Sequence, residues 1–108
     1  MRVGITGREN ITAKQFAILF GDKLNDLINR PGIDILLLDS GTVATLTATF
    51  LHRVGFRRVT VYGVVPFRPI FENFQSKRTF DTLSEARAAF ELDSEVVEVV
   101  ESQSNPVL

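Results

Sequence analysis

Two short stretches carry residue types that can hold an anion: Thr6-Gly7-Arg8, with Asn10 just beyond, and Ser40-Gly41-Thr42. Each follows an apolar run and precedes a helix start. Free amides and the positive end of the helix dipole meet at such a point, and both favour a phosphate or carboxylate. Arg8 adds a guanidinium fork suited to a phosphate. Gly7 permits a positive φ and close backbone approach. Both stretches also admit a plainer reading. For the first, a lone Thr-Gly-Arg is read more readily as a tight strand-to-helix turn with a surface arginine, and in the second Ser40 or Thr42 serves as well as an ordinary helix cap.

No other cluster suggests catalysis. His52 is the single histidine and falls near a helix end, where a surface or dipole-facing role is expected. Arg53, Arg57 and Arg58 form a basic group at the opposite end of the strands from the two turns, without a stacking platform for bases. No Ser-His-Asp arrangement, metal-ligand cluster or P-loop can be assembled. No catalytic residue, metal or separate cofactor is therefore expected.

The elements that position these turns follow from periodicity. Arg2 to Thr6 reads as a strand. Thr12 with Gln15 is a capping box, opening a helix whose stripe is Phe16, Phe20, Leu24 and Ile28, flanked by Ala17 and Leu27. Pro31-Gly32 ends it. Ile33 to Leu38 is a strand whose continuous leucines suit burial on both faces. A helix runs from about Val43 to Val54, with Val43, Leu46, Phe50, Leu51 and Val54 as its apolar positions and Gly55 as its stop. Its threonines at 42, 45, 47 and 49 are poor helix formers, so either packing overrides propensity or some hydroxyls serve function. Val59 to Val65 is a strand, and Ile70 to Lys77 reads as a short helix or a loop. Thr82 with Glu85 starts a helix to about Leu92, with Leu83, Ala86 and Phe90 inward. Glu95 or Val96 to Val100 is the last strand.

Strands alternating with helices imply a parallel sheet with right-handed crossovers. The expectation is a single α/β domain over 1-108: a small Rossmann-like three-layer fold with about four strands in order 3-2-1-4. Strand one is then central, helices one and two lie on opposite faces or flanks, and residues 102-108 form a flexible tail. The two turns then share the carboxyl edge of the sheet, beside the switch point between strands one and four, where ligands of such folds bind.

Composition narrows the class. The chain has 108 residues, 44% of them hydrophobic and nine of them Phe, enough for a core. The net charge of −1 offers no global field for nucleic acid or an acidic membrane. There is no cysteine, which fits a cytoplasmic location. No signal peptide and no membrane-spanning run is seen.

With Gly4-Ile5-Thr6-Gly7-Arg8, Leu37-Leu38-Asp39-Ser40-Gly41 and Val59-Thr60-Val61-Tyr62 after Gly55, the chain resembles the SLOG superfamily. These are Rossmann-like nucleotide-binding domains related to DNA-processing protein A and the LOG phosphoribohydrolases. It is most similar to small bacterial and phage members of the YspA/YpsA type. Arg87, Phe90, Asp93 and Ser94 resemble the family's positions before the last strand. The resemblance implies a nucleotide-derived ligand and implicates Gly7, Arg8, Ser40, Gly41 and Arg87 in binding it. The chain departs from the family in keeping only Gly41 of the paired glycines and in lacking the Gly-Gly-x-Gly-Thr plus Glu set of the LOG enzymes. That departure implies binding without catalysis.

Three functions follow. One is a nucleotide- or phosphate-binding module through Thr6, Gly7, Arg8, Ser40, Gly41, Thr42 and Arg87. Another is an enzyme that hydrolyses the N-glycosidic bond of a nucleotide or nucleoside, which a carboxylate held over the crevice would favour. The third is a non-catalytic interaction or structural protein, phage-encoded for example, which a crevice filled by Phe67, Phe71 or Phe74 would favour. The small sheet leaves edges to cover, and Phe67, Ile70, Phe71 and Phe74 suggest a homodimer through that segment.

Overall fold

A computed structural model describes residues 1–7 and 10–101. Five strands form one all-parallel sheet: β1 (Arg2–Thr6), β2 (Asp34–Leu38), β3 (Val59–Gly63), β4 (Ser76–Thr79) and β5 (Val96–Val99), in order β4-β3-β2-β1-β5. The expected 3-2-1-4 core is present, with the last expected strand as β5. The correction is the added β4, which covers the edge of β3. The stretch around 70–77 holds both a 3-10 turn (Pro69–Phe71) and part of this strand. Ser-Lys-Arg-Thr has no apolar alternation to announce a strand, and it is the charged kind of edge that resists further pairing. The central strand is β2, whose unbroken leucines are buried, and β1 lies one place off centre.

Helix α1 is a continuous rod that starts as α-helix (Ala13–Phe16), widens through a π segment (Ala17–Gly21) and resumes as α-helix (Asp22–Ile28). The Thr12–Gln15 capping box is formed in both directions. Phe16, Phe20, Leu24 and Leu27 face the core, and the Phe16 and Phe20 rings meet at 5.9 Å. Ala17 instead faces solvent, because the π segment adds a residue to that turn. Helix α2 (Gly41–Val54) buries Val43, Ala44, Thr47, Ala48 and Leu51 and ends on Gly55 at φ +74°, while Val54 stays outside. Two of its threonines bond inside the helix. Thr47 and Thr49 donate to the carbonyls of Val43 (2.8 Å) and Thr45 (2.9 Å), satisfying the hydroxyls inside the helix. Helix α3 (Leu83–Asp93) is capped by Thr82 through the Glu85 amide. Ala86 and Phe90 are buried, but Leu83 is exposed.

Helices α1 and α2 lie on the same face, in one core with Val3, Ile5, Ile35 and Leu37, which corrects the expectation of opposite faces. The reason is handedness. Each step from β1 to β4 moves the same way across the sheet, so right-handed crossovers put every connection on one side. Phe67, Phe71 and Phe74 belong to that core and are almost fully buried. Three of the four apolar residues named for a homodimer are therefore core residues, and Ile70 is partly buried beside them. Only the return from β4 to β5 crosses the other face, where α3 packs with Leu36, Leu38 and Tyr62. No described helix is long and apolar enough to cross a membrane.

Gly4 makes room for α3. A Cβ there would collide with Ser94 Oγ and stand 2.8 Å from Phe90 Cζ. Tyr62 fastens the far side, its hydroxyl donating to Asp93 Oδ2 at 2.6 Å while Arg78 reaches the same oxygen and lies 5.3 Å over the ring. Burial, reinforced by the Asp93 contact, raises the Tyr62 pKa above its ordinary value. The native state therefore holds this proton more tightly than the unfolded chain. Its contribution is intact below pH ~10 and lost as pH rises through the higher native value.

Two outcomes are expected. Gly4→Ala lowers unfolding stability by about 1–3 kcal/mol through overpacking, and an unchanged urea midpoint would contradict the close approach. Tyr62 is the single tyrosine and there is no tryptophan, so phenolate absorbance reads it alone. The phenolate is expected only at pH above its ordinary range, with stability falling in parallel, and Tyr62→Phe removes that alkaline decline. A normal titration of an intact fold would contradict it.

Candidate functional site

Because α3 packs mainly on β3 and β2 and only marginally on β1, its face of the sheet is left open beyond β1. Val97 and Val99 are 39% and 49% exposed there. The open strip is the floor of a crevice of about 690 Å³, lined by Thr6, Gly7, Ser40, Gly41, Arg87 and Glu91, with Leu38, Val97 and Val99. It lies between β1 and β5, where the strand order reverses. Val99 pairs with Thr6 and Val97 with Gly4, so the two valines run inward from the carboxyl edge. Arg87 and Glu91 stand one helical turn apart along the wall.

The polar end of the crevice is built by the two turns. Gly41 has φ +80° and approaches the Gly7 carbonyl. The positive-φ glycine of the site is therefore Gly41. Gly7 is needed for space instead, since a Cβ there would meet Val43 Cγ2 and the Val100 carbonyl oxygen. Ser40 is the N-cap of α2 in extended conformation, yet its hydroxyl makes no capping bond. The hydroxyl is therefore not committed to the helix start, and Ser40 lines the crevice.

A clamp that sequence reasoning missed fixes this end. Asp39 is 6% exposed at its side chain and accepts from Arg68 Nε at 2.5 Å and from the Arg68 amide at 3.0 Å. Arg68 Nη1 donates to the Gly41 carbonyl at 3.1 Å, so one guanidinium ties the end of β2, the start of α2 and the chain after β3. The guanidinium also lies 5.1 Å from the Phe71 ring centre. An Asp next to a turn looks like any turn residue in sequence, and its partner is 29 positions away.

Of the expected site residues, Thr6, Gly7, Ser40, Gly41 and Arg87 come together on the crevice. Thr42 does not: its hydroxyl donates to Asn10 Oδ1 at 2.8 Å, which ties the two turns to each other. Arg8 and the tail at Ser102 and Ser104 lie outside the described residues. Glu91 was not anticipated, although its place four residues after Arg87 puts both on one helix face. Neither forms an ion pair among the described residues. Phe67, Phe71 and Phe74 do not fill the crevice. The arrangement offers an anion pole at the turns and Arg87, an apolar floor, and a carboxylate further in.

Comparison with family models, with curated proteins and with solved structures finds no match.

Removing the clamp is expected to be costly. Arg68→Ala strands a buried carboxylate, a change that typically costs about 3–5 kcal/mol, with the lower end expected because Arg68 is 40% exposed. Replacing both partners, as Asp39→Asn with Arg68→Met, is expected to recover most of the loss. Equal unfolding midpoints for parent and Arg68→Ala would contradict the clamp.

Proposed function

We propose that the chain is a binding domain for a nucleotide or nucleotide-derived phosphate, held in the β1–β5 crevice and not chemically altered there. The observation that carries this reading is the convergence of Thr6 and Gly7, Ser40 and Gly41, and Arg87 from three separate segments onto one concave surface at the switch point. Concave, mostly apolar sites with a few convergent polar groups are where small ligands bind. The phosphate takes the pole formed by the α2 start and Arg87, and the flat remainder lies over Val97 and Val99. Kinship with the SLOG superfamily is part of the same proposal, resting on the short motifs quoted above.

One observation favours a second reading. Glu91 brings a carboxylate to the crevice wall, as an N-glycosidic hydrolase needs for stabilising a positively charged sugar or activating water. Hydrolysis of a bound nucleotide that is lost in Glu91→Gln while binding persists would favour it over simple binding.

A thermal-shift screen of mono- and dinucleotides, cyclic nucleotides and ADP-ribose tests both. A ligand at a hundredfold excess over its Kd adds about 2.7 kcal/mol, on the order of 10 °C for a domain of this size. The shift is expected to vanish in Arg87→Ala, whose own Tm stays near the parent's because Arg87 is exposed. No shift across the panel, or equal binding by Arg87→Ala, would overturn the proposal in favour of an interaction protein.

A further inference from the structure

At the opposite edge of the sheet, where the strands begin, the end of α2 and the chain leading into β4 enclose a second cleft of about 220 Å³. Aromatic groups line it at His52, Phe56 and Phe74, and polar side chains at Arg57, Asn73 and Gln75. The imidazole of His52 stacks on Phe74 with ring centres 4.1 Å apart and planes 17° from parallel. Its Nε2 lies 2.9 Å from the Ile70 carbonyl oxygen. A carbonyl only accepts, so Nε2 carries the hydrogen. His52 is thus fixed by both its face and its edge, and forms a rigid wall rather than a mobile surface ring.

The polar side chains contrast with their neighbours. Arg58 is spent on Asp34 through two parallel hydrogen bonds of 3.0 and 3.2 Å. Arg57 has no ion pair among the described residues, and neither Asn73 nor Gln75 makes a side-chain hydrogen bond there. An unpaired, exposed guanidinium beside two exposed amides and three aromatic rings is a lining that suits a guest with both an acceptor group and a flat apolar body.

We propose that this cleft is a binding site for a small aromatic carboxylate, its ring among His52, Phe56 and Phe74 and its carboxylate on the fork of Arg57. Two constraints select that class. The volume lies below the roughly 300 Å³ at which sites for drug-sized ligands begin, so the guest is a single ring with a short substituent. The negative end of the α2 dipole faces the same region and disfavours anions, so one negative charge matched by one guanidinium is accommodated and a dianionic phosphate is not. Asn73 and Gln75 donate to the carboxylate oxygens that Arg57 leaves free. The site is separate from the crevice and stands whether or not a nucleotide binds there.

Benzoate is the probe, titrated into the full chain while backbone amide resonances are followed by NMR. For a guest of this size a Kd on the order of a millimolar is expected, with shifts concentrated at 52–57 and 73–75. Benzyl alcohol, which lacks the carboxylate, and sulfate, which lacks the ring, are expected to bind at least tenfold more weakly. Arg57→Ala is expected to lose at least tenfold in affinity with an otherwise parental spectrum, and Arg57→Lys to fall between. Unmoved amides at both segments, sulfate equal to benzoate, or parental affinity in Arg57→Ala would each overturn the site. The ligand comparisons decide the matter on the parent protein alone, should a variant fold poorly.

Discussion

One helix cannot cover one face of a five-stranded sheet. At about 4.8 Å between strands the sheet is roughly 20 Å wide, and a helix with its side chains is about 10–12 Å across. Handedness forces the mismatch. Because β1 to β4 advance in one direction, α1, α2 and the 3-10 turn crowd onto one face, and α3 alone must serve the other. Where α3 sits therefore decides where the sheet is left open. It sits over β2 and β3, and the strip beyond β1 becomes the crevice.

Three contacts hold α3 in that place, and they differ in strength. Phe90 and Ala86 are buried against Leu36, Leu38 and Tyr62, and full burial of a side chain such as Phe contributes about 1.5–3 kcal/mol. The absent side chain of Gly4 permits the approach and sets its depth. The Tyr62–Asp93–Arg78 group adds direction more than energy, since Arg78 is half exposed and such pairs contribute about 0–1 kcal/mol. The crevice's polar end is fixed separately by the buried Asp39 and its guanidinium partner. Floor and pole thus have independent supports, as a preorganised site requires.

What could be read in the sequence follows the same physics. Strong local signals were legible: the Thr12 box, the Ser40-Gly41 helix start, the buried leucines of β2 and the alternation of strands and helices that implies a parallel sheet. The meeting of Thr6, Gly7, Ser40 and Gly41 followed from that topology. Features that depend on distant partners were not legible. The strand β4 has no apolar pattern, because its pairing with β3 supplies what its side chains do not. The phenylalanines after β3 looked like surplus apolar surface, yet they fill the space under the third one-way connection. The Asp39–Arg68 pair is set by a distant partner, and within the basic group of Arg53, Arg57 and Arg58 only the fold shows Arg58 paired with Asp34 and Arg57 without an ion pair among the described residues.

The account turns on the open strip of sheet beside α3 being a binding surface. The most direct measurement is intermolecular NOE spectroscopy on a nucleotide complex with methyl-labelled valine. The base protons are expected to contact the methyls of Val97 and Val99, with the phosphate nearest the amides of Ser40 and Gly41. Contacts confined to other valines, such as Val54 or Val65 on surfaces away from the crevice, would contradict the account.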